Sequence, residues 1–176
     1  MRIVRSIIAV LLSVSLFGCF ACGKKDSSSS PSAKEGISTK KSLKGVYDFK
    51  GKMKDGNSEG RVTYKWPNGD VYEGEIRNNM MDGNGLMKYK DSSCYKGDFK
   101  AGKLCGKGSY KFSDGSKYEG DFANDMMNGK GKLTFANGDV YEGDFKNDQM
   151  DGQGVFKYKT GSEVKGAFKD GLFVGK

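Results

Sequence analysis

Catalytic chemistry has little to work with in this sequence. It contains no histidine, which removes the commonest general base and the commonest transition-metal ligand. Ser-His-Asp and Cys-His arrangements are therefore impossible. Gly-x-Gly steps are frequent, and such steps can cradle a phosphate when a helix follows them. Here they recur at a fixed period, with no Gly-Lys-Ser/Thr at phosphate-loop spacing and no helical pattern after them, so their role is structural. Neither a cofactor nor a metal site is expected, and the chain is not expected to be an enzyme. The remaining reactive groups are four cysteines, Cys19, Cys22, Cys94 and Cys105, and many carboxylates.

Cys19 sits in an informative place. The chain begins MRIVR, continues SIIAVLLSVSLFG and then CFACGKKDSSSS. A basic start, an apolar run and small residues at a cut site make residues 1–18 a secretory signal peptide. The apolar run is shorter than the about 20 residues that span a bilayer. Leu16-Phe17-Gly18-Cys19 resembles the lipobox of bacterial lipoproteins, although Phe17 is bulkier than the usual occupant of its position. The resemblance implies that Cys19 is acylated and becomes the mature N-terminus, with Cys22, after Ala21, as the alternative site. Several acyl chains hold a protein firmly where one holds it only marginally. The implied location is the bacterial envelope, lipid-anchored at the outer membrane or the periplasmic face of the inner membrane. A plain cleaved signal peptide and an uncleaved anchor are the alternatives.

Charge is unevenly placed. The net charge of +8 divides into +2 for residues 1–18, +4 for 19–44 and +2 for 45–176. Residues 19–44 are rich in Ser and Lys with almost no large apolar residue, which makes a flexible, lipidated tether. The rest is nearly balanced and has no basic stripe, so nucleic acid is not an expected partner.

The elements that must position everything else are repeats. YEGEI begins at Tyr72, YKGDF at Tyr95 and YEGDF at both Tyr118 and Tyr141; VKGAF at Val164 is a partial copy and FKGKM at Phe49 a degenerate one. The spacing is 23 residues throughout. One glycine lies two residues into each regular copy (Gly74, Gly97, Gly120, Gly143), a second eleven in (Gly83, Gly106, Gly129, Gly152) and a third thirteen in (Gly85, Gly108, Gly131, Gly154). Val62 replaces the third glycine in the first copy. Tyr-x-Gly-x-Phe followed by Gly-x-Gly is similar to the MORN repeat (membrane occupation and recognition nexus), over about three-quarters of the chain. The resemblance implies protein–protein or protein–lipid contacts and no catalysis of the array's own.

Within a copy, the alternation of Tyr, Gly and Phe has strand periodicity. A four-residue loop such as KNDQ then reverses the chain. This predicts Phe99 opposite Leu104, Gly97 opposite Gly106 and Tyr95 opposite Gly108, with all apolar residues and glycines on one face. The fold class is therefore all-β: an elongated single-layer antiparallel sheet of tandem β-hairpins over residues 45–176. The same register sets Glu75 opposite Asp82, Asp144 opposite Asp151 and Glu119 opposite Lys130. Two carboxylates are too few ligands for calcium, so a hydrated polar face is expected. Cys94 and Cys105 fall about 13 Å apart along a strand, beyond the reach of a disulfide. Free thiols, or a bridge between two molecules, fit better.

A single layer has nothing to cover its apolar side. Phe122, Phe145, Phe156, Tyr158 and Phe173 are therefore expected to stay accessible as a binding surface. The expected function is a membrane-anchored scaffold or adaptor for an envelope protein or a phospholipid, with a homodimer as one possible assembly. The alternatives are a solute-binding lipoprotein and an accessory subunit of an envelope enzyme.

Overall fold

The computed structural model describes residues 37–42, 45–54 and 56–175. The signal peptide and the acylation sites Cys19 and Cys22 lie outside the described residues. The regular elements are strands: β1 (Ile37–Ser42), β2 (Gly45–Lys54), β3 (Asn57–Lys65), β4 (Val71–Arg77), β5 (Met80–Lys88), β6 (Cys94–Lys100), β7 (Lys103–Lys111), β8 (Lys117–Ala123), β9 (Met126–Thr134), β10 (Val140–Lys146), β11 (Gln149–Lys157), β12 (Glu163–Lys169) and β13 (Leu172–Gly175). Each pairs antiparallel with its neighbours in sequence, giving one 13-stranded sheet in chain order. Every 23-residue copy is one hairpin, as its periodicity predicts.

Two kinds of turn alternate. The tight one closes each copy: Asn124 and Asp125, with φ of 50° and 67°, are its central residues, and Ala123 pairs with Met126. Positive φ at both centres is the type I′ geometry that suits strand twist, and Asn, Asp and Gly tolerate it. The wider turn joins copies: the Phe135 N–H donates to the Asp139 carbonyl, and the Asn137 side chain accepts from the Asp139 N–H.

The array starts earlier than the boundary at residue 44. Within the expected tether, β1 pairs Ile37 with Lys50 and Thr39 with Asp48. Composition misses it because backbone pairing along a free sheet edge requires no large apolar side chain.

The register differs from the simple hairpin in one systematic way. Phe99 faces Leu104 as expected, but Gly97 faces Gly108 and Tyr95 faces Tyr110, not Gly106 and Gly108. Two residues, Gly106 and Lys107, are extruded as a bulge between Asp98–Cys105 and Gly97–Gly108. The copies starting at 72, 118 and 141 shift at the same place. The bulge glycines Gly83, Gly106, Gly129 and Gly152 have φ between 59° and 121°, where a side chain would strain the backbone. They do not share the apolar face: a Cβ on Gly106 or Gly129 would strike the side chain of Asp98 or Asp121 on the polar side.

Candidate interaction surface

The apolar face is built from a tyrosine seat repeated along the sheet. Tyr118 lies over Gly120 of its own strand and Gly131 of the next, and a Cβ on Gly131 would come within 2.4 Å of its ring. Tyr72, Tyr95 and Tyr141 lie in the same way over Gly85, Gly108 and Gly154. Each hydroxyl donates to the carbonyl of the residue three places on: Tyr72 to Glu75 at 2.6 Å, Tyr95 to Asp98 and Tyr118 to Asp121 at 2.9 Å, Tyr141 to Asp144 at 3.0 Å. That carbonyl borders the bulge, where the ladder is interrupted. On the opposite face, Asp121 and Asp144 accept the bulge N–H groups of Lys130 and Gln153 at 3.0 and 2.9 Å. The bulge's backbone groups are thus satisfied from both sides, as buried or half-buried groups require. Burial pushes the Tyr141 hydroxyl up to about 12, and the other three move in the same direction for the same reason.

Between successive tyrosines stands a phenylalanine. Phe122 packs edge-on against Tyr118 at 5.1 Å and Tyr95 at 5.0 Å; Phe145 packs against Tyr141 at 5.2 Å and Tyr118 at 4.9 Å. The relay runs unbroken from Tyr72 through Phe99 to Phe168 and Phe173. This corrects one expectation: Phe122 and Phe145, at 6% and 3% exposure, are core, not surface. Twist and edge-to-face stacking let a single layer bury its central row without a second layer. Phe156, half-buried, and Tyr158, 43% exposed, lie in a second row beside the wide turns. At the far edge Leu172, Phe173 and Val174 are exposed. Apart from Met80, the exposed large apolar residues among those described therefore lie within 158–174, with Leu172 opposite Lys169 on the polar face.

The polar face is a lattice of carboxylates and lysines that join neighbouring copies. Glu119 faces Lys132, not Lys130, and the Lys130 amine reaches Asp144 at 2.7 Å while Lys107 reaches Asp121 at 2.6 Å. Neither Glu75–Asp82 nor Asp144–Asp151 is a paired rung at the bulge, and neighbouring copies supply cations to Asp82, Asp144 and Asp151. Asp82 takes Lys100 at 3.1 Å and Arg77 at 3.7 Å, and Asp151 takes Lys169 at 2.7 Å. Hydrogen bonds from Lys100, Lys107 and Lys169 hold Asp82, Asp121 and Asp151 below the usual carboxylate range. Cys94 faces Lys111 and Cys105 faces Asp98; both are half-buried free thiols, and burial pushes the Cys105 thiol up.

Sequence reasoning missed the clamps at the tight turns. The Leu104 N–H donates to Asp125 Oδ1 at 2.8 Å while the Asp125 N–H donates back to the Leu104 carbonyl at 3.2 Å. Met127 with Asp148 and Ser58 with Asn79 repeat this two-point contact between consecutive copies. Asx at the second turn residue carries the signal, but a turn preference explains Asx equally well.

Together these features define a class: an all-β repeat protein whose copies are held by stacked rings on one face and ion pairs on the other. The model of the MORN repeat matches residues 49–71, 72–94, 95–117, 118–140 and 141–163, the same frame as the 23-residue period. The chain belongs to the MORN-repeat family. A comparison with curated proteins gives no match. Among solved structures, the chain is similar to the TCP domain of SAS-4 (dCPAP) from Drosophila melanogaster, solved in complex with a proline-rich motif of Ana2 (dSTIL). The identity is 14% and the TM-score 0.37, over 82% of this chain and 92% of that one.

Proposed function

We propose that this protein is a non-catalytic scaffold or adaptor, held at a bacterial envelope membrane by lipid on Cys19, that offers its MORN array to an envelope protein or a phospholipid. MORN repeats generally serve as protein- or membrane-binding modules. The observation that carries the reading is the exposure of Tyr158 and Phe173 on the apolar face, which no second layer covers. Exposed aromatic rings on an uncovered sheet face beside an open edge strand offer a partner a place to pack. Tyr158 and Phe173 are the residues to test, because both are exposed at more than 40% and their replacement leaves the central relay from Tyr72 to Phe168 in place.

The test has two arms. Mass spectrometry of the mature N-terminus is expected to find acylated Cys19, and Cys19→Ala is expected to block processing; an unmodified N-terminus elsewhere sinks the anchor. For the surface, Tyr158→Asp with Phe173→Asp is expected to keep the circular dichroism spectrum while losing envelope crosslinks or vesicle flotation. Loss of a sedimenting dimer in the same variant identifies a second copy as the occupant. If the variant folds and all three readouts are unchanged, the apolar surface is not the binding site.

A further inference from the structure

The contacts between consecutive copies are not equivalent. At the tight-turn end, the first junction is clamped by Asn79, the third by Asp125 and the fourth by Asp148. The second, between residues 72–94 and 95–117, has Gly102 at the equivalent place, and the fifth has Gly171, though there Met150 beneath it is buried. Gly102 keeps the backbone half of the contact, its N–H donating to the Met81 carbonyl at 2.8 Å, but has no side chain to accept the Met81 N–H. In its place Asp82 reaches across to the Ala101 N–H at 3.3 Å and to the exposed Lys100 amine. An ion pair whose lysine is solvent-exposed is screened by salt and holds the junction less firmly than a backbone clamp.

The wide-turn end deviates at the same junction. Asp70 accepts the Lys90 N–H of the next copy at 2.9 Å, Ser116 that of Ala136 at 3.1 Å and Asp139 that of Lys159 at 2.8 Å. Ser93, in the same position, instead donates to Asp91 of its own turn and accepts, across the junction, from the Tyr110 hydroxyl of the next copy at 3.3 Å. Among the described residues it takes no N–H from the following turn. Packing follows suit: Met81 is half-buried, while its counterparts Leu104, Met127 and Met150 are buried. Two features, one at the tight-turn end and one in the core, thus loosen one junction, which side-chain hydrogen bonds from Tyr110 to Ser93 and from Asn84 to Asp98 still cross.

We propose that the junction between β5 and β6 is a hinge, where the array opens and bends while the blocks 49–94 and 95–163 stay rigid. Stability in a repeat array is a sum of nearest-neighbour contacts, so the weakest junction opens first and alone. The apolar face crosses this junction, so bending there changes the curvature offered to a partner.

Hydrogen exchange on the full chain, read at the level of short peptides, tests this. Amides over 94–99 are expected to exchange about fivefold to tenfold faster than the equivalent amides over 117–122 and 140–145, the difference that about one hydrogen bond makes. Gly102→Asn restores the missing acceptor. No atom lies within 4 Å of a Cβ there, and Asn79 already holds φ of 63° at the equivalent site. This variant is expected to slow exchange over 94–99 to the level of the other junctions and leave those unchanged. The converse variant Asp125→Gly is expected to create a second fast segment over 117–122. Equal rates at the three junctions in the wild-type chain overturn the hinge. So does fast exchange over 94–99 that Gly102→Asn fails to slow, or an Asp125→Gly array that gains no fast segment.

Discussion

The first copy and its successors share a period but not a register. In the first, Phe49 pairs with Val62 and Gly51 with Gly60, with no shift along the hairpin. In the copy at 118, Tyr118 pairs with Leu133 and Gly120 with Gly131, and the bulge lies between that rung and Phe122–Met127. Both copies have a positive-φ glycine eleven residues in, Gly60 and Gly129. That glycine therefore permits the bulge without causing it. The first copy lacks two other things: a hydroxyl at its opening aromatic residue and a glycine thirteen residues in. In the copies starting at 72, 95, 118 and 141 the bulge goes with a tyrosine that can reach the interrupted carbonyl and a glycine floor on which its ring can lie. The last hairpin, which opens on Val164, shifts differently, between Ala167 and Phe168.

The largest effect is expected from removing a ring that only the bulged copies supply. Phe145→Ala empties the space between Tyr118 and Tyr141 and should cost about 3–5 kcal/mol, read as a drop in the urea midpoint at unchanged slope. A cost under about 1 kcal/mol would mean that the relay is decorative. Gly131→Val comes next: its side chain would occupy the seat of Tyr118, and overpacking of this kind costs about 1–3 kcal/mol. An unchanged melting temperature would show that the glycine floor is dispensable.

Tyr118→Phe removes only the hydroxyl that serves the Asp121 carbonyl and should cost about 1 kcal/mol. Combined with Gly131→Val it recreates the Phe and Val pairing of the first copy. The double variant should be less destabilised than the two single costs summed, by about 0.5 kcal/mol or more. Strict additivity would show that hydroxyl and glycine do not act as one device, and the comparison of copies would lose its explanation.

Acid should give the smallest effect, because it acts only on the polar face. Lysine hydrogen bonds hold Asp82, Asp121 and Asp151 below their ordinary value of 3.8. A carboxylate depressed in the folded state contributes stability that is fully present above its unfolded value and lost as pH falls through the folded one. The urea midpoint should therefore be steady from pH 7 to about 5 and decline below about 4, around the unfolded carboxylate value. Replacing all three aspartates with Asn should lessen that decline. A decline of the same size in the triple variant would place the acid sensitivity elsewhere.

Much of this was legible in the chain. A 23-residue period with alternating Tyr, Gly and Phe leaves little choice but a hairpin per copy, because both strand alternation and turn chemistry agree. Asn-Asp at 124–125 and 147–148 located the tight turns. The pairing of Phe99 with Leu104 was readable because it adjoins a turn, where loop length alone sets register.

Farther from the turn that logic fails. Gly106 and Gly108 are the same residue type two places apart, so either could face Gly97 without moving an apolar side chain off its face. Only the folded sheet decides, because a tyrosine ring needs a bare rung beneath it and a carbonyl within reach, and both are contacts between strands. The accessibility of Phe122 and Phe145 was undecidable for the same reason: the rings that cover them belong to Tyr95, Tyr118 and Tyr141, up to 27 residues away along the chain. Periodicity names the face on which a side chain lies. How much of that face remains open depends on sheet twist and on rings from neighbouring copies, which exist only once the strands are assembled.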